Sequence, residues 1–154
     1  MRLASLTWCL LLVWCGFGCS RSFSSQDLGV QYEPPSGMDL RSVEAGPPAL
    51  ARFDGGLELR SVRGAAPALD AGPEAVLAAA GLKAPGKLLQ DTEGTLPAGP
   101  VARYEFSQTG GARTLVYFLP RKDGFVLVTF SAPERDYGTL SARVERSLST
   151  LRAW

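Results

Sequence analysis

Apolar and polar positions divide this chain into three regimes: a near-unbroken apolar run from Leu3 to Phe17, a polar stretch from Ser20 to Asp27, and brief apolar segments from Leu28 onward. Pro and Gly punctuate the third regime at short intervals, which suits strands joined by turns better than a helical bundle. Candidate strands are Leu28 to Tyr32, Met38 to Val43, Ala49 to Phe53, Leu57 to Val62, Lys87 to Leu89, Val101 to Gln108, Arg113 to Leu119 and Phe125 to Ala132. Asp54-Gly55-Gly56 and Thr109-Gly110-Gly111 supply turn residues that tolerate positive φ, and Pro120 to Gly124 makes a charged loop. Along the strand from Val101, Ala102, Tyr104 and Phe106 alternate with Arg103, Glu105 and Ser107, which predicts a half-buried strand. Leu115 to Leu119 and Phe125 to Phe130 are apolar on both faces. They belong in the middle of a sheet with something covering each side.

Helices are the natural cover. From Tyr137 to Arg152, Tyr137, Leu140, Val144, Leu148 and Leu151 recur at three- and four-residue steps and form one apolar stripe. A shorter helix is predicted from Pro73 to Ala80, with Pro at its first position and Gly81 where a left-handed terminating residue belongs. The expected fold is therefore a single α/β (α+β) domain over residues 28–154, a largely antiparallel sheet with helices packed on its faces.

The apolar run of 15 residues is short of the ~20 that a spanning helix needs, but fits the core of a signal peptide. A cleaved signal over residues 1–18 is preferred to an uncleaved anchor, because Gly16 and Gly18 place small side chains three and one before a cut ahead of Cys19. All three cysteines, Cys9, Cys15 and Cys19, lie in or at the end of this leader, so no disulfide can staple the domain and Cys19 needs another purpose. The segment resembles the bacterial lipobox, with Gly16 and Phe17 standing where Leu and a small residue are usual. That resemblance implies a diacylglyceryl thioether on Cys19 plus an amide-linked acyl chain such as palmitate, enough for stable membrane attachment. Residues 19–27 then read as a lipidated, Ser-rich tether, whose eight flexible residues from Ser20 to Asp27 reach only roughly 15 Å. Ordinary cleavage to a soluble exported protein is the alternative. Ser20 after Cys19 leans, by analogy with lipoprotein sorting, to an outer membrane facing the periplasm.

Charge and chemistry narrow the classes further. Basic and acidic residues nearly balance and the longest basic run is Arg121-Lys122, so nucleic acid is not an expected partner. Histidine is absent, which removes the commonest general base and metal ligand and, with the thiols confined to the leader, the usual nucleophile systems. Neither a metal nor a cofactor is expected, and the chain is read as no enzyme. Carboxylate-based hydrolysis would need Asp91 with Glu93 or Glu134 with Asp136, pairs whose turn-like surroundings suit solvated loop charges. Gly81-Leu82-Lys83-Ala84-Pro85-Gly86-Lys87 fits G-x-x-x-x-G-K. It lacks the following Ser or Thr, contains Pro85 and follows a helix, so it reads as a helix stop and turn.

Two features suggest binding. Gly37 to Val43 recurs as Gly56 to Val62, which is read as two strands of one sheet with Met38, Leu40, Leu57 and Leu59 inward. A sharper reading makes Arg41 and Arg60 part of a charged partner-binding stripe. Most aromatics suit core packing, but Tyr104 and Tyr117 are the amphipathic pair to touch a ligand if one sheet face is open.

The element order, the early turn with Pro34, Pro35 and Gly37, and Val128-Thr129-Phe130-Ser131-Ala132-Pro133 leading to a last helix with Ser147-Leu148-Ser149-Thr150-Leu151-Arg152 resemble the PsbP-like and DcrB-like exported α/β proteins. The resemblance spans Leu28 to Arg152. It implies an antiparallel sheet with helices on its faces and a non-catalytic binding, assembly or chaperone-like role. Combined with the leader, it makes the expected protein a lipid-anchored envelope component that binds another envelope protein. The alternative is a carrier holding a small apolar ligand or peptide in a sheet-face groove.

Overall fold

A computed structural model describes residues 21–154. The leader and Cys19 lie outside the described residues. Ten strands and two helices follow in order: β1 (Phe23–Ser25), β2 (Val30–Tyr32), β3 (Leu40–Glu44), β4 (Ala49–Phe53), β5 (Leu57–Arg63), α1 (Pro73–Ala79), β6 (Lys87–Leu96), β7 (Gly99–Ser107), β8 (Ala112–Arg121), β9 (Gly124–Pro133), α2 (Glu134–Ser147) and β10 (Arg152–Ala153). Every strand pairing is antiparallel. A seven-stranded sheet runs β3-β4-β5-β9-β8-β7-β6, and a second sheet of three runs β1-β2-β10. This is the α+β architecture expected from the pattern.

The central strands are β9 and β8, the two that are apolar on both faces, and each face has its own core. On one side Leu59, Leu115, Val126, Val128 and Phe130 pack with Tyr137, Val144 and Leu148 of the C-terminal segment and with Leu28, Val30 and Tyr32 of the small sheet. On the other side Tyr104, Phe106, Val116, Phe118, Phe125 and Leu127 pack under Val76 and Leu77 of α1 and Ala80 just past its end. The α1 end closes as the sequence implies. Gly81, at φ +70°, lets its own N–H bond the Ala78 carbonyl at 3.0 Å and the Leu82 N–H bond Leu77 at 2.8 Å, satisfying two end carbonyls and turning Leu82 back onto the core. The G-x-x-x-x-G-K segment is thus a helix stop.

Three elements differ from expectation. Phe23–Ser25, placed in the tether by its serines, is β1, because Phe23 buries against Phe53 edge-to-face at 5.4 Å between centroids while β1 pairs with β2. The β6 strand runs to Leu96 instead of Leu89; its polar residues face solvent along the sheet's outer edge. The long helix ends at Ser147, five residues early. Ser147 donates to the Val144 carbonyl at 2.6 Å, a 3-10 turn follows, and Arg152–Ala153 straighten to pair with β2. Leu148 and Leu151 stay buried all the same.

Candidate functional site

An open groove lies between the two sheets. The small sheet covers β4 and β5 through Phe23 and Tyr32, both edge-on to Phe53, but stops short of β3, the outermost strand of the large sheet. The step leaves a groove of about 450 Å³ lined by Arg21, Phe23, Pro34, Leu40, Val43 and Phe53, among others. Leu40 is 45% and Val43 44% exposed. The internal echo aligns Leu40 with the buried Leu59 and puts it inward; a bulge between Leu40 and Ser42 and the edge position of β3 overturn that expectation. The cations near the rim are neutralised, with Arg21 paired to Asp39 and Arg41 to Asp54.

At the opposite edge β6 exposes Leu88 and Leu89, the latter 47% accessible, beside Lys87, Asp91 and Glu93. Asp91 and Glu93 are therefore surface charges of an edge strand. Glu134 bonds Arg113 and Asp136 bonds Arg135, so neither acidic pair converges on a shared cleft.

Arg41 and Arg60 do occupy two strands of one sheet, as the echo implies, but the structure does not bring them together. Arg60 continues a ladder of Glu44, Arg52 and Glu58 across β3, β4 and β5, whereas Arg41 turns to Asp54. Beneath α2 lies a second ionic group that the alternating pattern of β7 concealed. Glu105 is buried and accepts from both Arg103 and Arg113, Arg103 also donates to Glu145 at 2.7 Å, and the Arg113 guanidinium sits 4.8 Å from the Tyr137 ring centre. Burial works against the charge on Arg103, and the Glu145 carboxylate outweighs it, so its pKa is raised.

Arg121 closes the other end of the small sheet. Its Nη1 donates to the Leu28, Gly29 and Trp154 carbonyls at 3.0, 3.0 and 3.1 Å, and its Nη2 donates to Ser61 Oγ at 2.6 Å. Gly29 holds φ +62°, and a Cβ there would come within 2.7 Å of that Nη1, so the clasp needs glycine. Burial, then the neighbouring Arg63, lowers the Arg121 pKa. Arg121 thus clamps the fold.

The two tyrosines expected at a ligand surface separate onto opposite sheet faces. Tyr104 is fully buried under α1 with its hydroxyl lacking a hydrogen-bond partner, which removes it from any ligand surface. Tyr117 is half-buried, donates to Glu145 at 3.0 Å and borders a small cleft of about 130 Å³ with Arg103 and Glu93. Both faces being covered at these strands, the pair shares no open sheet face among the described residues. Burial pushes the phenols of Tyr32, Tyr104 and Tyr117 up to about 12, helped for Tyr104 by Asp91 and Glu93 and for Tyr117 by Glu145. A phenol whose pKa rises on folding stabilises the fold fully below its unfolded value of about 10, and that stability is lost as pH climbs from there through 12. Urea midpoints should therefore fall over that window. Tyr104→Phe, which deletes the unpartnered hydroxyl, should raise stability at neutral pH by about 1 kcal/mol and shrink the alkaline loss. A lower midpoint for Tyr104→Phe would show that the hydroxyl is in use.

The fold has a counterpart among solved structures: the solution structure of cyanobacterial PsbP (CyanoP) from Synechocystis sp. PCC 6803 superposes with a TM-score of 0.58 at 14% identity, covering 90% of this chain and 96% of that one. The fold is PsbP-like. A scan against protein-family models and a search of curated proteins give no match. Among the described residues no helix is long and apolar enough to cross a membrane.

Proposed function

We propose that this chain is a lipid-anchored, exported domain of the bacterial envelope that binds another envelope protein and performs no chemistry itself. One observation carries the reading. Among the described residues the large sheet leaves both edge strands uncovered while its central strands are covered on both faces, so exposed apolar side chains gather at the edges, Leu40 and Val43 on one and Leu88 and Leu89 on the other. Open strands with apolar rims are the surfaces at which sheet proteins pair with others. The PsbP-like fold and the apolar leader ending at Cys19 support the exported, anchored setting. The ten-residue β6 edge is the partner surface, and Lys87, Asp91 and Glu93 restrict which strand can pair there.

Feeding cells a clickable fatty acid should label the wild-type chain in the membrane fraction, and Cys19→Ala should lose the label and appear in the soluble fraction. Label that survives Cys19→Ala removes the anchor. A photo-crosslinking residue at Leu89 in intact cells should capture one envelope protein, and no adduct there with wild-type localisation removes the partner surface. The carrier reading has one observation in its favour, the groove of about 450 Å³ with Phe23 and Phe53 in its lining. A lipid that copurifies stoichiometrically and is lost in Val43→Glu would favour it.

A further inference from the structure

We infer that the groove edge formed by β1 and β3 is the surface that lies on the lipid bilayer; the inference rests on acylation of Cys19 and adds to it the orientation of the domain. The argument is one of chain length. Arg21 lines the groove and β1 is paired from Phe23 onward. Two residues extended to their limit span about 7 Å, so the Arg21 end of the groove's rim stays within that distance of the Cα of Cys19. An acylated cysteine sits at the headgroup level, and the rim has no slack with which to leave it. The eight-residue tether that sequence composition suggests would have let the domain turn freely; β1 and the turn that follows it take up five of those residues, Phe23 to Asp27.

The chemistry of the rim fits such a surface. Leu40 and Val43 are nearly half exposed on the outermost strand, with Phe23, Pro34 and Phe53 behind them. Arg21 and Arg41 are mostly exposed on long stems and already paired with Asp39 and Asp54. Such stems keep their charge in the headgroups while the apolar residues enter the acyl boundary. With these charges paired, contact is apolar in origin, so neither anionic lipid nor low salt is required.

The other open edge gives the matched control. The β3 and β6 edges are separated by six strand spacings, about 29 Å across the sheet, and both expose aliphatic side chains of similar accessibility. A surface that merely prefers lipid for its apolarity would use either; the anchor permits only one.

The test uses the full chain purified from membranes with its anchor, carrying Trp154→Phe and one reporter, Val43→Trp, Leu40→Trp or Leu89→Trp. Each is reconstituted in vesicles of phosphatidylethanolamine and phosphatidylglycerol containing phosphatidylcholine brominated on its acyl chains. Emission from the Val43→Trp and Leu40→Trp proteins should be at least halved by the brominated lipid, with no change on adding salt, while Leu89→Trp stays unquenched. Mass spectrometry of the same samples reads the acyl groups. An unmodified Cys19 overturns both the anchor and this orientation. Acylated protein whose β3 reporters are unquenched, whether the groove then holds a second copy or the protein's own acyl chain, or are quenched no more than Leu89→Trp, overturns the orientation alone.

Discussion

Ending the chain at Pro133 is expected to yield a polypeptide without a cooperative unfolding transition. The deleted segment supplies Tyr137, Val144, Leu148 and Leu151 to the core on one face of the central strands. Four such side chains contribute roughly 6 to 12 kcal/mol gross, comparable with the whole net stability of a domain. Hydrogen bonds leave with them. The Tyr32 hydroxyl donates at 2.5 Å to Ser147 Oγ, whose own hydrogen is committed to Val144, and β2 loses its partner β10. Glu105, Arg103 and Arg113 would also be uncovered on that face, where Glu145 and Glu134 now complete their pairs. Far-ultraviolet circular dichroism across a urea series would settle it. A sharp sigmoid with a midpoint near that of the intact chain would mean that the small sheet and the second core suffice.

Replacing Arg121 with Met should cost about 3 kcal/mol, a large fraction of such a domain's stability, although Met fills much of the same volume. The two hydrogens of Nη1 are shared among three carbonyls from two segments, and Nη2 reaches Ser61 on the large sheet. Without the guanidinium the Leu28 and Trp154 carbonyls lose this donor, the Gly29 carbonyl keeps only the Trp154 N–H, and the small sheet loses its polar tie to β5. Arg121→Lys should recover little, since one ammonium cannot reproduce a planar fork of donors. The site of damage is specific: amide exchange should accelerate in β1, β2 and β10 while β8 and β9 stay protected. Uniform acceleration, or a loss under about 1 kcal/mol, would contradict the clasp.

What could be read in advance follows how local each determinant is. The β7 strand and the α2 stripe announce themselves because burial on one side imposes a period on consecutive residues. Strands β8 and β9 are legible as central because both faces are buried, and the Gly81 stop because its chemistry lies within four residues. The β6 strand past Leu89 is silent, since an edge strand can be polar on both sides and needs only backbone pairing with β7. A single buried residue, Phe23, separates β1 from a linker, and two residues suffice for β10. The groove was hidden for a different reason. It arises where one sheet ends short of another, and the similarity of Met38-Asp39-Leu40 to Leu57-Glu58-Leu59 conceals that Met38, Leu57 and Leu59 lie beneath cover while Leu40 does not. Tyr104 misleads in the same way, because alternation reports that one face is apolar without saying that a helix already occupies it. Arg121 binds a carbonyl 93 residues away, a separation at which no spacing rule operates.

The position of β10 beside β2 bears on when the molecule can complete itself. Gln31 pairs with Arg152 and Val30 with Ala153, so residues near the start of the described fold wait for partners made more than a hundred positions later. Pairings so distant in sequence form slowly, after most of the loop entropy has been lost. The three-stranded sheet cannot close before Arg152 and Ala153 have been made, whereas the β8–β9 hairpin is free to form earlier. The small sheet therefore closes only in the compartment that receives both β2 and β10.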